Sequence, residues 1–169
     1  MKKFFLLLLT SAASILTTQA QSKDIVGVAA GSADHSTLVA AVKAADLVGT
    51  LQGAGPFTVF APTNAAFGKL PAGTVEGLLK PEAKPTLTKI LTYHVVAGKL
   101  DAAAVLKAIK SGGGKAVLTT VSGGKLTASL DGGKVKLTDE TGATAWVTAT
   151  DLKATNGVIH VIDSVVMPK

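Results

Sequence analysis

The sequence predicts an α+β domain, and two contrasts along the chain carry that reading. Up to Ser111, apolar residues mostly recur at three and four positions, the period of amphipathic helices. Beyond it they alternate or run in short blocks between glycine pairs, as strands do. Helices therefore gather early and strands late, which suits α+β better than an alternating α/β arrangement. The length of 169 residues agrees with one domain rather than two.

The first twenty residues stand apart from this pattern. Met1-Lys2-Lys3 is a basic start, Phe4 to Leu9 is an apolar run, and Thr18-Gln19-Ala20 is a small-x-small cleavage site. That three-part layout is a secretory signal peptide over residues 1–20, leaving 21–169 as a single mature domain. The apolar run is far short of the roughly 20 residues that span a bilayer. No later stretch is long or apolar enough, so no membrane span is expected in the mature form. Of the 17 basic residues, all lysine, two leave with the signal; 15 lysines against 11 acidic residues give a mature charge of +4.

Along the mature chain, Leu38, Val42, Ala45 and Val48 predict a helix over Ser36–Val48, capped by Asp34 or Ser36. Gly53-Ala54-Gly55-Pro56 breaks the chain before a short strand at Phe57–Phe60, which Pro62 ends. Thr63 or Asn64 is placed to cap a short helix carrying Ala66, Phe67 and Leu70, and Thr74 to cap another with Val75, Leu78 and Leu79. Pro85 suits the first turn of a further helix, where its missing N–H costs nothing. On that helix Leu87, Leu91 and His94 share a face, and Gly98 closes the segment. Asp101 caps a last helix with Val105, Leu106 and Ile109 on one side.

Three Gly-Gly-Lys triplets follow, at 113–115, 123–125 and 132–134, and read as consecutive hairpin turns. Between and after them lie strands at 117–121, 126–130, 135–137, 146–150 and 158–166. Asn156-Gly157 is the most specific turn signal in the chain.

Composition removes several function classes. Without cysteine there is no disulfide scaffold, zinc ribbon, Fe–S site or thiol nucleophile. Without arginine, two-pronged recognition of phosphate or carboxylate is disfavoured. Gly112-Gly113-Gly114-Lys115 is followed by Ala116 and a strand, not by Ser or Thr and a helix, so it is a turn and not a phosphate loop. On a strand His160 and Ser164 stand about 13 Å apart and Asp163 points the other way, which does not make a hydrolytic triad. The three histidines lack ligand spacing, so neither metal nor other cofactor is expected, and no catalytic residue is assigned. Scattered lysines and the absence of a recognition motif argue against nucleic acid. His94, following Tyr93 on an apolar face, has two readings: a core histidine satisfied by backbone, or, with Tyr93, a pair that polarises a pocket or touches a partner.

Three stretches taken together resemble the fasciclin-like domain: Gly55–Phe67 (GPFTVFAPTNAAF), Leu91–Lys99 (LTYHVVAGK) and Asn156–Pro168 (NGVIHVIDSVVMP). The resemblance covers about residues 24–168. It implies a wedge or sandwich of β-strands with a helical cap, and a role in adhesion at cell surfaces or in extracellular matrix. In that family the Tyr-His dipeptide, here Tyr93-His94, is largely internal and serves packing and adhesion. Animal members carry an Asp-Ile integrin-contact element just before the third motif; Asp151-Leu152 holds that place, with Lys153 following where an apolar residue is expected.

The expected function is thus a non-enzymatic, secreted or periplasmic adhesion or interaction module. Its partner would be a cell-surface or matrix protein or a polysaccharide, and Tyr93, His94, Asp151 and Leu152 are the candidate binding residues. The alternative that the resemblance offers is a carrier of an apolar small molecule, such as a carotenoid, in a hydrophobic groove by the helical cap.

Overall fold

The computed structural model describes residues 23–169; the signal-peptide expectation lies outside them. Seven strands form one sheet: β1 (Phe57–Pro62), β2 (Val95–Ala97), β3 (Lys115–Thr119), β4 (Lys125–Asp131), β5 (Lys134–Thr138), β6 (Thr144–Ala154) and β7 (Gly157–Ile162). Their spatial order is β2-β1-β7-β6-β5-β4-β3. Every pairing is antiparallel except β1 with β7, whose parallel register matches Phe57 with Gly157 and Phe60 with His160. Register shifts in β6 around Ala149 bend the sheet, and the two outer strands meet again through a Val96–Thr120 bridge. The result is the expected wedge of strands, made from one rolled sheet that nearly closes.

Helices α1 (Ile25–Ala30), α2 (Ser36–Ala44), α3 (Val48–Leu51), α4 (Asn64–Gly68), α5 (Thr74–Leu78), α6 (Lys84–Tyr93) and α7 (Ala102–Ser111) complete the fold. One apolar core lies between the early helices and the sheet, with Leu38, Val42, Leu51, Phe67, Leu87 and Leu91 packed on Val59, Ala61 and Ile159. A second fills the wedge, with Phe60, Tyr93, Ile109, Leu126, Leu137 and Val166. Strands β1 and β7 sit between the two cores. Every residue of β7 and all but Phe57 of β1 are buried, which explains their largely apolar runs, broken only by Thr58 and His160.

Several local expectations need correction. The helix predicted over Ser36–Val48 breaks after Ala44, where Asp46 adopts φ +59° and turns Leu47 into the core. Neither Asp34 nor Ser36 caps it; Asn64, from α4, reaches across and accepts the Thr37 N–H at 2.9 Å. Thr74 is the first residue of α5 and Gly73 its cap. Helix α1 carries little helical signal, because Val, Ile and Gly are weak helix formers; Asp24, accepting the Gly27 N–H at 2.7 Å, starts it. Thr63 and Asp101 do cap α4 and α7, and Pro85 lies in the first turn of α6.

The first Gly-Gly-Lys triplet is not a hairpin. It ends α7, with Gly114 N–H returning to the Ile109 carbonyl while Gly113 and Gly114 take positive φ. The second and third triplets do lie at hairpins, and Gly132-Gly133, at φ +57° and +80°, forms the two-residue turn between β4 and β5. The last strand stops at Ile162 rather than Val166, and β6 extends well beyond 146–150.

Asn156-Gly157 works differently from a positive-φ turn, because neither residue takes positive φ and Gly157 already belongs to β7. Asn156 is a junction: its Oδ1 accepts the Ile25 N–H, and its Nδ2 donates to the carbonyls of Leu51 and Gly53. One side chain thereby ties α1 and α3 to the β6–β7 corner.

Candidate functional site

Tyr93 and His94 sit where α6 runs into β2, at the contact between the two cores. Tyr93 is fully buried. Its hydroxyl donates to the Lys125 carbonyl at 2.6 Å and accepts the Glu140 N–H at 3.2 Å. Burial raises its pKa, keeping the phenol protonated as a donor. The ring lies on Gly124, where any Cβ would come within 2.7 Å of it, so the β3–β4 turn has glycine for lack of space. Tyr93→Phe deletes both bonds and leaves a part-buried carbonyl and N–H without their partner; the expected loss is about 1–2 kcal/mol, read as a Tm lowered by about 5 °C.

His94 is 2% exposed. Its Nδ1 lies 2.8 Å from the Ile90 carbonyl, and its Nε2 accepts the Val166 N–H at 3.2 Å. These partners select the neutral tautomer with the proton on Nδ1. Burial pushes its pKa down to about 4, against weaker opposing effects from the Ile90 carbonyl and Asp139. Asp139 fastens the same tail: its Oδ2 accepts the Met167 N–H at 2.8 Å, while its Oδ1 accepts from Thr141 and Ala143. Neither Tyr93 nor His94 reaches the surface: the C-terminal tail bonds to His94, and the β3–β4 turn and Glu140 enclose Tyr93.

Asp151 and Leu152 are in the opposite situation. Asp151 occupies the irregular stretch of β6 at φ +58°, a conformation that Asp tolerates better than most residues. Its Oδ1 accepts the Ala102 N–H at 2.8 Å, adding a carboxylate to the start of α7. Leu152 is 37% exposed and lines a shallow groove of about 380 Å³ with Lys23, Ser32, His35 and Ile159. Both residues are thus exposed, Asp151 braced on the start of α7 and Leu152 in the groove beside α1, and the fold does not bring them together with Tyr93 or His94.

The other constellations are spoken for. His160 bonds the Leu100 carbonyl through Nε2 at 2.6 Å and stacks on Phe60, with ring centroids 5.6 Å apart. Asp163 accepts the Trp146 N–H, and Ser164 accepts from Lys69, so the three do not assemble into a triad. Among the described residues no group of three or more His, Cys, Asp or Glu side chains is placed to hold a metal ion, and no helix is long and apolar enough to cross a membrane. An apolar cavity does lie beneath α1–α3, lined by Ile25, Leu38, Val42, Leu51, Leu91 and His94. Its volume is about 40 Å³. Ligand pockets run to roughly 300–1,000 Å³, so a polyene fits only if the helices part.

A helical layer on a rolled, nearly closed sheet, with an internal Tyr-His pair, defines the class. The Fasciclin domain family model matches residues 33–168, and the chain belongs to that family. It is 56% identical over 144 residues to protein sll1483 of Synechocystis sp., covering 85% of this chain and 73% of that one. It is 38% identical over 158 residues to immunogenic protein MPB70 of Mycobacterium bovis, covering 90% and 73%. In fold it is similar to a FAS1 domain pair from the insect cell adhesion molecule Fasciclin I, with a TM-score of 0.62 at 20% identity over 75% of this chain and 42% of that one.

Proposed function

We propose that the protein is a non-enzymatic adhesion module, exported to the periplasm or the cell exterior, that meets its partners at its surface. The partner class is a cell-surface or matrix protein or a polysaccharide. The observation that carries this reading is the contrast just described: Tyr93 and His94 are buried and hydrogen-bonded inside the fold, whereas Asp151 and Leu152 are exposed on an irregular part of β6. The export layout of residues 1–20 supports the location. Asp151 supplies a charged acceptor at the start of α7 and Leu152 an apolar contact in the groove by α1, the polar and apolar elements an interface uses.

The double change Asp151→Asn and Leu152→Ala tests it. Asn keeps the helix cap and tolerates positive φ, so folding is expected to survive, with a Tm within about 5 °C of the wild type. Retention of the mature protein on immobilised cells or matrix is expected to fall about ten-fold, the size of a modest hot spot. Unchanged retention removes the pair from the interface. A wild-type protein retained no better than an inert control removes adhesion itself.

A further inference from the structure

A second surface feature lies at the other end of β6. Trp146, the only tryptophan of the chain, is half-buried on the outward side of the sheet. It borders a groove of about 600 Å³ formed where the β4–β5 hairpin tip faces the end of β7. Asp131, Gly132 and Lys134 come from the hairpin, Thr148 from β6, and Asp163 from just beyond β7. This volume falls within the roughly 300–1,000 Å³ of small-molecule sites.

The backbone of Trp146 is held in place: its N–H donates to Asp163 Oδ1 at 2.8 Å, and the Asp163 N–H returns to its carbonyl at 3.1 Å. On the neighbouring strand, Lys136 lies 5.7 Å from the ring centroid and reaches Asp131 at 3.0 Å. Lys69, on the far side, pairs with Asp163 at 3.6 Å. Leaving an indole half-exposed in a concave surface forgoes apolar burial that a smaller residue would not have offered in the first place.

Charge narrows the ligand. Each carboxylate at the groove has a lysine partner and Lys134 adds one further ammonium, so among the described residues a cation finds no free carboxylate and a polyanion finds one unpaired charge between two carboxylates. A neutral polyhydroxyl ligand instead finds acceptors on Asp131 and Asp163, donors on Lys134 and Thr148, and, beside the Lys136 ammonium over its ring, a half-exposed indole for its C–H face. We propose that this groove binds neutral sugar units of a polysaccharide, with Trp146 as the stacking platform. The inference deepens the adhesion reading by naming a ligand class, but it rests on a surface separate from Asp151–Leu152.

The single tryptophan makes the test direct. Mature protein is titrated with soluble neutral oligosaccharides (glucan, mannan, xylan and galactan fragments) and with a uronate oligomer, following tryptophan emission and calorimetric heat. A saturable emission change with at least one neutral oligosaccharide is expected. By calorimetry Trp146→Ala should bind it about ten-fold more weakly, one stacked ring's worth, while Trp146→Phe stays within a few-fold of the wild type. Circular dichroism checks that both variants keep the fold. The proposal fails if no neutral oligosaccharide gives a saturable change, if Trp146→Ala binds as tightly as the wild type, or if only the uronate responds. Failure here leaves retention through Asp151–Leu152 untouched, and loss of that retention leaves the sugar titration intact.

Discussion

His94→Ala is expected to be among the most damaging single side-chain truncations in the protein, costing about 3–5 kcal/mol. The imidazole is buried between α6 and the C-terminal tail, so its removal opens a cavity and leaves the Ile90 carbonyl and Val166 N–H without partners. At about 2–4 °C per kcal/mol, the Tm should fall by roughly 10 °C or more.

The same residue sets an acid limit. Its pKa is about 4 in the folded protein against a reference value of 6.5, so the fold favours the neutral ring. That stabilisation is fully present above pH 6.5 and is lost as pH falls from 6.5 towards 4, where the folded state also takes up the proton. At about 1.4 kcal/mol for each pH unit, the window is worth about 3 kcal/mol. His35, whose pKa burial also lowers, acts in the same direction. Urea midpoints should therefore decline between pH 6.5 and 4 in the wild type, and His94→Ala should flatten that decline. A wild-type midpoint independent of pH across this window would contradict the buried neutral imidazole.

Gly157→Ala is expected to be at least as severe, and for a different reason. An added Cβ would lie 2.0 Å from the Phe57 carbonyl oxygen, a backbone atom of the paired strand. Relief requires β1 and β7 to separate, although both are packed against a core on each face. A loss above about 4 kcal/mol is expected, seen as low soluble yield or a collapsed urea midpoint. Gly77→Ala is the matched control. It lies in α5 with nothing within 4 Å of an added Cβ, so it should leave stability unchanged or raise it by up to about 1 kcal/mol.

What the sequence made legible was mostly local. Thr63, Pro85 and Asp101 mark helix starts because a cap or a first-turn proline acts within a few residues of itself. The wedge strands were visible through alternation, as in Leu126, Ala128 and Leu130, of which the first two are fully buried. Long-range partners were not legible. Asn64 caps a helix 27 residues away, and Asn156 serves carbonyls more than 100 residues distant. Gly157 carries a turn signature yet is glycine because another strand passes close by.

The candidate site divides in the same way. Periodicity put His94 on the apolar face of α6, but its bond to Val166 depends on how the tail folds back. Asp151 and Leu152 were found through motif order; the positive φ and the cap on α7 become visible only where β6 bends. In the sequence Trp146 is one more strand residue. Its groove exists only because a hairpin tip and the end of β7 come together.

A domain that meets partners at its surface, over a cavity of only about 40 Å³, carries no cargo. The most direct test is the absorption spectrum of mature protein purified natively from its source, before and after incubation with a polyene. The expected spectrum shows only the near-ultraviolet band of one tryptophan, one tyrosine and the few phenylalanines, with no polyene band after the excess is removed. A co-purified visible band, or a retained polyene in stoichiometric amount, would contradict the account and make the cavity beneath α1–α3 a carrier site.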